Sequence, residues 1–351
     1  MNKTAQILKA FGLDSSSETK PLGNGLINST FLVTTPTGGR YVMQRINTNV
    51  FPDVDALQDN IDRVTAHIRL KLAERGITDI ERHCLRFLPN TATGKSYYHD
   101  GSDYWRIMVY IPDSVTHETV TPEHAEAAGR AFGDFEKMLA DMKPLPVETI
   151  KDFHNMEFRL VQFDNAIKDN LAGRLDSVRD LVNDMLCLKE TACTAERLQR
   201  EGKLPLRVCH CDTKVNNMLF DMDGNVLCVI DLDTVMPGNV LSDYGDFMRT
   251  GANCAPEDEP NLDLIQINTD VYDAFTRGYL ETAGEFLTET ERNILPHGLF
   301  RFAYMQAIRF LTDYLNGDTY YRISYPEHNL VRARAQWQLA QKALPLIKTE
   351  L

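Results

Sequence analysis

The stretch that most constrains the fold runs from Val208 to Asp233 and reads VCHCDTKVNNMLFDMDGNVLCVIDLD. Met218–Phe220 form a short apolar run, Asp221–Gly224 carry turn residues, and Val226–Ile230 form a second apolar run. Two such runs around an Asp-Gly turn predict a β-hairpin. Polar residues frame it. Asn217 stands before the first strand and Asp231 after the second, so antiparallel pairing is expected to bring both to one end of the hairpin. Upstream, the apolar run Leu204–Cys209 predicts a strand ending at His210, which puts Asp212 on the connecting loop. A solvated surface hairpin is the bland reading, and an Asp before a turn is commonplace. Two apolar runs framed by His210, Asp212, Asn217 and Asp231 are harder to dismiss.

The framing residues are of one chemical kind. Asn217 and Asp231 offer oxygen atoms, which magnesium prefers, usually taking one or two from protein and the rest from phosphates and water. Asp212 is placed to accept a proton from a hydroxyl, and Lys214 to meet a transferring phosphoryl group. H-x-D alone arises by chance. H-x-D-x-K-x-x-N, then a hairpin, then Asp, is the layout of a phosphoryl-transfer loop. A calcium loop beginning at Asp221 fails, because Gly224 falls at its fourth position rather than the sixth and Leu232 at its twelfth. Cys209 and Cys211 flank His210, but C-x-C without a second pair is a poor zinc signature, and buried thiols at a strand end are expected.

The preceding chain reads as a small sheet. FLVTT and RYVMQRI around PTGG, residues 31–46, predict a hairpin, approached through Gly23-Asn24-Gly25. Leu57, Ile61, Val64, Ile68 and Leu72 recur on one helical face, with Phe51-Pro52-Asp53 as its start. Short strands are expected at 84–88, 96–99 and 104–111, with Asp100-Gly101 as a turn. After Pro112 the pattern becomes helical, with Thr121-Pro122 as a cap and N1 pair and further helices near 155–170, 177–200 and from 262 onward. The fold class expected is α+β: residues 1–112 a small N-terminal sheet lobe with one helix, and 113–351 a larger, mostly helical lobe.

These residues resemble the aminoglycoside phosphotransferase and choline kinase superfamily, whose fold is protein-kinase-like and bilobal. VMQRINTNVF (42–51), HCDTKVNNMLFD (210–221), CVIDLDTVMPG (228–238), YGDFMRTGAN (244–253) and DYLNGDTYYRI (313–323) are most similar to bacterial N-acetylhexosamine 1-kinases. The resemblance implies ATP and Mg2+ as cofactors, Asp212 as catalytic base with Lys214 beside it, and Asn217 and Asp231 as magnesium ligands. It implies that Asp233 assists metal or substrate, and that Asp243 braces the catalytic loop. Gly23, Gly25, Asn28, Ser29 and Thr30 stand where a glycine-rich phosphate loop would be, with its third glycine missing. Gln44 aligns with the usual third-strand lysine, Arg45 is adjacent and assigned to substrate, and Tyr110–Pro112 resemble the hinge that holds the adenine. Asp246, Arg301, Arg309, Asp313, Tyr321 and Arg322 are candidates for the sugar pocket, each with an alternative as a solvated or structural residue.

Composition narrows the partners. The 351 residues carry a net charge of −13 with no Lys/Arg run, so nucleic-acid binding is not expected. Seven scattered cysteines show no disulfide framework and suit a reducing compartment. MNKTAQILKAFGLD lacks the apolar core of a signal peptide, and no window reaches a membrane span. A cytoplasmic enzyme acting on a small molecule, an amino sugar, is therefore expected. The alternatives are a kinase of another hydroxyl substrate (an aminoglycoside, an amino alcohol or a thiosugar) and a non-catalytic nucleotide-binding module. A protein kinase does not fit, since Asp231 and Asp243 are too close for a long activation loop.

Overall fold

A computed structural model describes residues 3–23 and 27–347; Gly25 lies outside the described residues. In chain order the elements begin α1 (Lys3–Ala10), β1 (Glu18–Pro21), β2 (Ser29–Thr34), β3 (Arg40–Ile46), α2 (Val54–Glu74), α3 (Ile80–His83), β4 (Tyr98–His99) and β5 (Tyr104–Val109). Then follow α4 (Pro122–Leu139), α5 (Met156–Asp169), α6 (Arg179–Leu186), α7 (Lys189–Ala192), α8 (Thr194–Arg200), β6 (Arg207–Cys209), β7 (Met218–Phe220), β8 (Val226–Val229) and β9 (Met236–Gly238). Helices α9 (Leu241–Gly251), α10 (Thr269–Ala283), α11 (Glu289–Ile294), α12 (His297–Leu315) and α13 (His328–Ala343) complete the chain. The chain is thus α+β, an N-terminal antiparallel sheet followed by a larger helical part.

Two compact units form. The first comprises the chain up to Thr116 together with Asp141–Lys151 and Met218–Met236. The second comprises His117–Ala140, Asp152–Asn217 and Pro237–Leu351. A single boundary after residue 112 does not include the two later stretches that the first unit takes in.

The first unit is built on a five-stranded sheet of order β1-β2-β3-β5-β4. Its strand alternation separates two faces. Phe31, Met43 and Ile107 are in register across β2, β3 and β5. They pack with Ile7, Leu8 and Phe11, in and just after α1. One residue along, Thr30, Gln44 and Arg106 form a polar row on the opposite face. Helix α2 meets that row through Gln58, whose Oε1 accepts from Arg106 Nη1 at 3.0 Å.

All five residues of the predicted α2 stripe are buried, and Asp53 caps the helix by accepting from Ala56 N–H at 2.9 Å. The wholly buried Asn60 stitches the two later segments to α2. Its amide donates to the carbonyls of Val147 and Val235, and its oxygen accepts from Val147 N–H. The hairpin β7–β8 forms, with Met218 opposite Val229. The backbone of Val115 pairs with that of Phe220 in both directions.

Some local expectations change. Residues 84–88 hold only a bridge from Phe87 to Met108, and the strand at 96–99 shortens to two residues. Strand β1 has the sequence ETKP, with no apolar alternation to reveal it; backbone pairing to β2 makes it a strand. Two short helices, α1 and α3, accompany the one expected in this region. The 177–200 stretch breaks into a 3-10 turn and three short helices.

In the second unit α4 packs along α10, and glycines set their distance. A Cβ on Gly278 would lie 2.1 Å from the Glu126 carbonyl oxygen, and one on Gly129 would lie 2.3 Å from that of Phe275. The backbones therefore touch where the helices cross. Helix α12 is buried on nearly every side, between α13, α9 and α5. Among the described residues, no helix is long and apolar enough to cross a membrane.

Replacing Gly278 by Val should force α4 and α10 apart, at a cost of about 1–3 kcal/mol or more. A thermal melt should show a clear drop in midpoint. A midpoint within a degree of wild type would contradict the close crossing.

Candidate active site

The loop after β6 is shaped by one buried carboxylate. Asp243, in the first turn of α9, accepts the N–H of His210 at 2.8 Å and that of Cys211 at 2.7 Å, one on each oxygen. Thr213 Oγ1 donates to the Asp243 carbonyl at 2.6 Å. Cys211 takes a left-handed φ of 64°, a conformation that non-glycine residues adopt only when held. The two N–H bonds to Asp243 hold it. His210 is fully buried between the edges of Phe132 and Phe135.

Beneath this bracket sits a second carboxyl group, Glu136 of α4, which accepts from Tyr279 Oη at 2.6 Å. Burial, with the charge of Asp243 adding to it, pushes Glu136 well above the usual carboxyl range. Burial also raises Asp243, against the pull of His210 and the two N–H groups. The Cys209 sulfur lies with these two carboxyls inside 4.8 Å, but its thiol is pushed up by its neighbour Cys211 and by burial. It donates to the Asn239 carbonyl. Tyr279, the Asn239 carbonyl and the N–H groups of His210 and Cys211 thus tie all three side chains into a hydrogen-bonded core cluster.

The bracket presents Asp212. Its Oδ1 lies 2.6 Å from Lys214 Nζ, and its Oδ2 accepts from Asn217 Nδ2 at 3.1 Å. The same Nδ2 donates to the Asp212 carbonyl at 2.8 Å. The Asn217 amide nitrogen is therefore committed to Asp212. Burial alone would lower the Lys214 ammonium, but the charges of Asp212 and Asp246 outweigh it and hold it above the usual lysine value. Asp246 is buried in an ion pair with Arg249 at 3.0 Å, and Arg249 also reaches Glu257 at 2.9 Å. Burial raises the Asp246 carboxyl against the pull of Arg249, and the charge of Asp212 adds to the rise.

Arg249 leads into a cationic cluster. His154 feels Arg309, Arg301, Arg159 and Arg249, and burial together with these charges drives its pKa well below the usual histidine value. Burial and the charge of Arg309 lower Arg159 to about 10. Arg309 reaches Gln306, and Arg159 reaches Gln162 and the Phe153 carbonyl. No ion pair among the described residues involves either arginine. The Arg309 guanidinium lies 5.6 Å from the Tyr321 ring centre, and burial pushes the Tyr321 phenol up to about 12. Tyr321 Oη, Arg159 Nε and His154 Nδ1 are buried without a hydrogen-bond partner. Such polar atoms are costly to bury unpaired.

The other candidates separate. Arg301, eight residues before Arg309, makes a bidentate pair with Glu196 at 2.8 Å on both nitrogens and also donates to the carbonyls of Ala192 and His154. Its donors are spent, so it is a structural residue and not a sugar ligand. Asp313 is likewise committed. It accepts the N–H groups of Thr319, Tyr320 and Tyr321 and the Asn329 amide, and so shapes the loop that delivers Tyr321. Arg322 is exposed. Arg45 shares the face of Met43 on the α1 side of the sheet, where it is exposed and meets Ser29 and, more distantly, Asp103. That places it opposite the polar row, against its assignment to substrate.

On that row Gln44 donates to Thr30 Oγ1 at 3.2 Å and accepts from Arg106 Nε at 2.9 Å. Asp233 pairs with Arg106 at 2.5 Å and accepts from Asn28 Nδ2 at 2.6 Å, while Asn28 Oδ1 accepts from Asn47 N–H. Asp233 is thus a buried partner of the sheet. Gly23 has the left-handed φ of 69° that suits glycine at a turn. In the expected hinge, Tyr110 stacks on Arg40, and the Pro112 carbonyl accepts from Arg82. Asp231 follows β8 with a left-handed φ of 59°.

Sequence reading overlooked Arg106, Arg159, His154 and Glu136. Arg106 did leave a signal: a lone charge inside the apolar strand YWRIMV demands a buried partner. The other three lie on helices or loops where charge is ordinary.

A model of the phosphotransferase enzyme family matches residues 18–288. Among solved structures, the chain is similar to an amicoumacin kinase in complex with AMP-PNP, Ca2+ and Ami, at 13% identity and a TM-score of 0.58, covering 94% of this chain and 89% of that one. It is also similar to a spectinomycin phosphotransferase in complex with ADP and spectinomycin, at 14% identity and 0.57, covering 97% and 98%. An aminoglycoside phosphotransferase from Alicyclobacillus acidocaldarius gives 12% and 0.58, covering 97% and 94%. At these identities the likeness establishes the fold.

Two arginines of α12 should respond oppositely to truncation. Arg301→Ala leaves the Glu196 carboxylate buried and alone and should cost about 3–5 kcal/mol in denaturant unfolding. Arg309→Ala removes an unpaired cation and should leave stability within about 1 kcal/mol of wild type. Equal losses would refute the distinction.

Proposed function

The chain belongs to the phosphotransferase enzyme family, and on that premise we propose that it is a small-molecule kinase transferring the γ-phosphoryl group of ATP to the anomeric hydroxyl of an N-acetylhexosamine. Asp212 accepts the proton of the C1 hydroxyl. That oxygen bonds to the γ-phosphorus as the bond from phosphorus to the ADP oxygen breaks, yielding a sugar 1-phosphate and ADP. Lys214, held protonated by Asp212 and Asp246, faces the charge of the phosphoryl group. Positioning and fixed charge carry most of the catalysis in such a transfer.

Asn217 and Asp231 fit magnesium by donor type, and the committed amide nitrogen of Asn217 leaves its oxygen for a metal. Bound magnesium would neutralise phosphate charge. The polar row of the sheet, with Thr30 and Asn28, and the backbone of Tyr110 and Ile111 are assigned to the nucleotide.

The observation that carries the acceptor class is the cationic cluster of Arg159, Arg309, His154 and Tyr321. It offers buried donors and no uncommitted carboxylate among its described members. Hydroxyl and amide-carbonyl oxygens of an N-acetylated sugar satisfy such donors. The ammonium groups of an aminoglycoside or an amino alcohol would instead meet like charge. Electrostatic coupling from Asp212 through Arg249 to His154 and Arg309 joins this cluster to the base.

An ADP-release assay across N-acetylhexosamines, plain hexoses, choline and aminoglycosides tests this reading. Turnover should be highest with an N-acetylhexosamine, and phosphorus NMR should place the phosphate on the anomeric carbon. Turnover with cationic acceptors alone would refute it. Asp212→Ala should lower turnover by roughly 10²–10⁴-fold while nucleotide still binds. Arg309→Ala should raise the acceptor KM about tenfold and leave that for ATP unchanged.

A further inference from the structure

We propose that Arg106 supplies the fixed cation that faces the nucleotide phosphates in this chain, in place of a lysine at position 44. The proposal rests on the kinase reading above.

Arg106 lies on β5 directly opposite Gln44 of β3. It is only 2% exposed, and a charge so buried must be paired and held. Three groups hold it: Gln44 Oε1 on Nε, Gln58 Oε1 on Nη1, and Asp233 Oδ1 at 2.5 Å from Nη1. Each of these is fixed in turn. Gln44 is oriented by Thr30, Gln58 donates to Ser96 Oγ, Ser96 donates to Asp62, and Asp233 accepts from Asn28. A guanidinium gripped on one side by two amide oxygens and one carboxylate is pre-oriented, so little entropy is lost when a further anion binds it.

Capacity remains on both members of the ion pair. Asp233 Oδ1 is buried and accepts no aligned hydrogen bond, although Arg106 is close. Arg106 Nη2 donates to no described residue, whereas Nε and Nη1 are engaged. A guanidinium nitrogen unengaged among the described residues, beside a carboxylate oxygen that Arg106 approaches without an aligned hydrogen bond, suits a polyphosphate with its divalent cation. Asn28 and Thr30, on the segment expected to cover phosphates, belong to the same network.

The arrangement also explains the glutamine. A lysine at 44 would place an ammonium beside the Arg106 guanidinium on a buried face, and like charges directly opposite across strands are destabilising. A glutamine instead accepts from Arg106 and passes order on to Thr30. The two positions are therefore predicted to be coupled: one cation is required, and either strand can carry it.

The test measures MgATP affinity by calorimetry, and KM for ATP and for the acceptor by ADP release. The variants are Arg106→Gln, Arg106→Lys, Gln44→Lys and the double exchange Gln44→Lys/Arg106→Gln, each with a thermal melt. Arg106→Gln should weaken ATP binding by roughly ten- to a hundredfold and leave the acceptor KM within about twofold. Gln44→Lys alone should also impair binding. The double exchange should recover most of the affinity by returning one cation to the row. ATP affinity within about twofold of wild type in a folded Arg106→Gln protein would overturn the proposal. So would a folded double exchange no better than Arg106→Gln, which would mark Arg106 as purely structural. If Arg106→Gln does not fold, Arg106→Lys and the double exchange decide by the same comparison. A wild-type protein that binds no nucleotide would overturn the kinase reading as well. Wild-type binding that is indifferent to Arg106 would overturn this proposal alone.

Discussion

Two N–H groups on one buried carboxylate organise the loop that follows β6. Asp243 receives His210 and Cys211 on separate oxygens and so holds Cys211 in a left-handed conformation that the residue would not adopt alone. With the backbone turned there, Asp212 falls within reach of both Lys214 and Asn217. The bracket itself depends on the core below it. Asp243 is buried beside Glu136, which burial and the charge of Asp243 push well above the usual carboxyl range and which is tied to Tyr279. A packed helical core and a reactive loop are thereby joined through one side chain. That gives Asp243 the bracing role its resemblance implied, and gives it a physical cause.

Charge placement follows one rule in both units. An arginine that meets a carboxylate has its charge spent within the fold, whereas one that does not keeps that charge for other groups. Arg301 and Arg309 stand on the same helix, yet both terminal nitrogens of Arg301 are engaged by Glu196 and two carbonyls, while Arg309 meets no carboxylate among the described residues. Arg106 lies between the two cases. It is paired, but with a donor to spare and beside a carboxylate oxygen that still lacks an aligned donor. On a chain of net charge −13, this local excess of positive charge near Arg159 and Arg309 shows how poorly total charge reports the field at a site.

Much of the architecture was legible because local patterns and tertiary demands agree. The α2 stripe, its Asp53 cap, the Thr121 cap of α4 and the hairpins at 29–46 and 218–229 all formed where periodicity and turn chemistry put them. Expectations failed where pairing has no side-chain signature. Strand β1 exists through backbone hydrogen bonds alone, and residues 84–88 have strand-like composition but find a single bridging partner. The interleaved polar and aromatic residues of DYLNGDTYYR were read together, yet Asp313 organises the loop by accepting backbone N–H groups, while the Tyr321 hydroxyl is buried without a hydrogen-bond partner.

The sequence by itself determined the spacing of Asp212, Lys214 and Asn217 and the hairpin that follows them, because those relations are local. They depend on a few adjacent backbone torsions and on a turn that Asp223-Gly224 encodes. Only the tertiary structure decided which charges are spent. Arg301 with Glu196, Arg106 with Asp233 and Asp243 with His210 are separated by 105, 127 and 33 residues. Whether a buried charge is satisfied depends on what folds against it, and no window of sequence contains that partner.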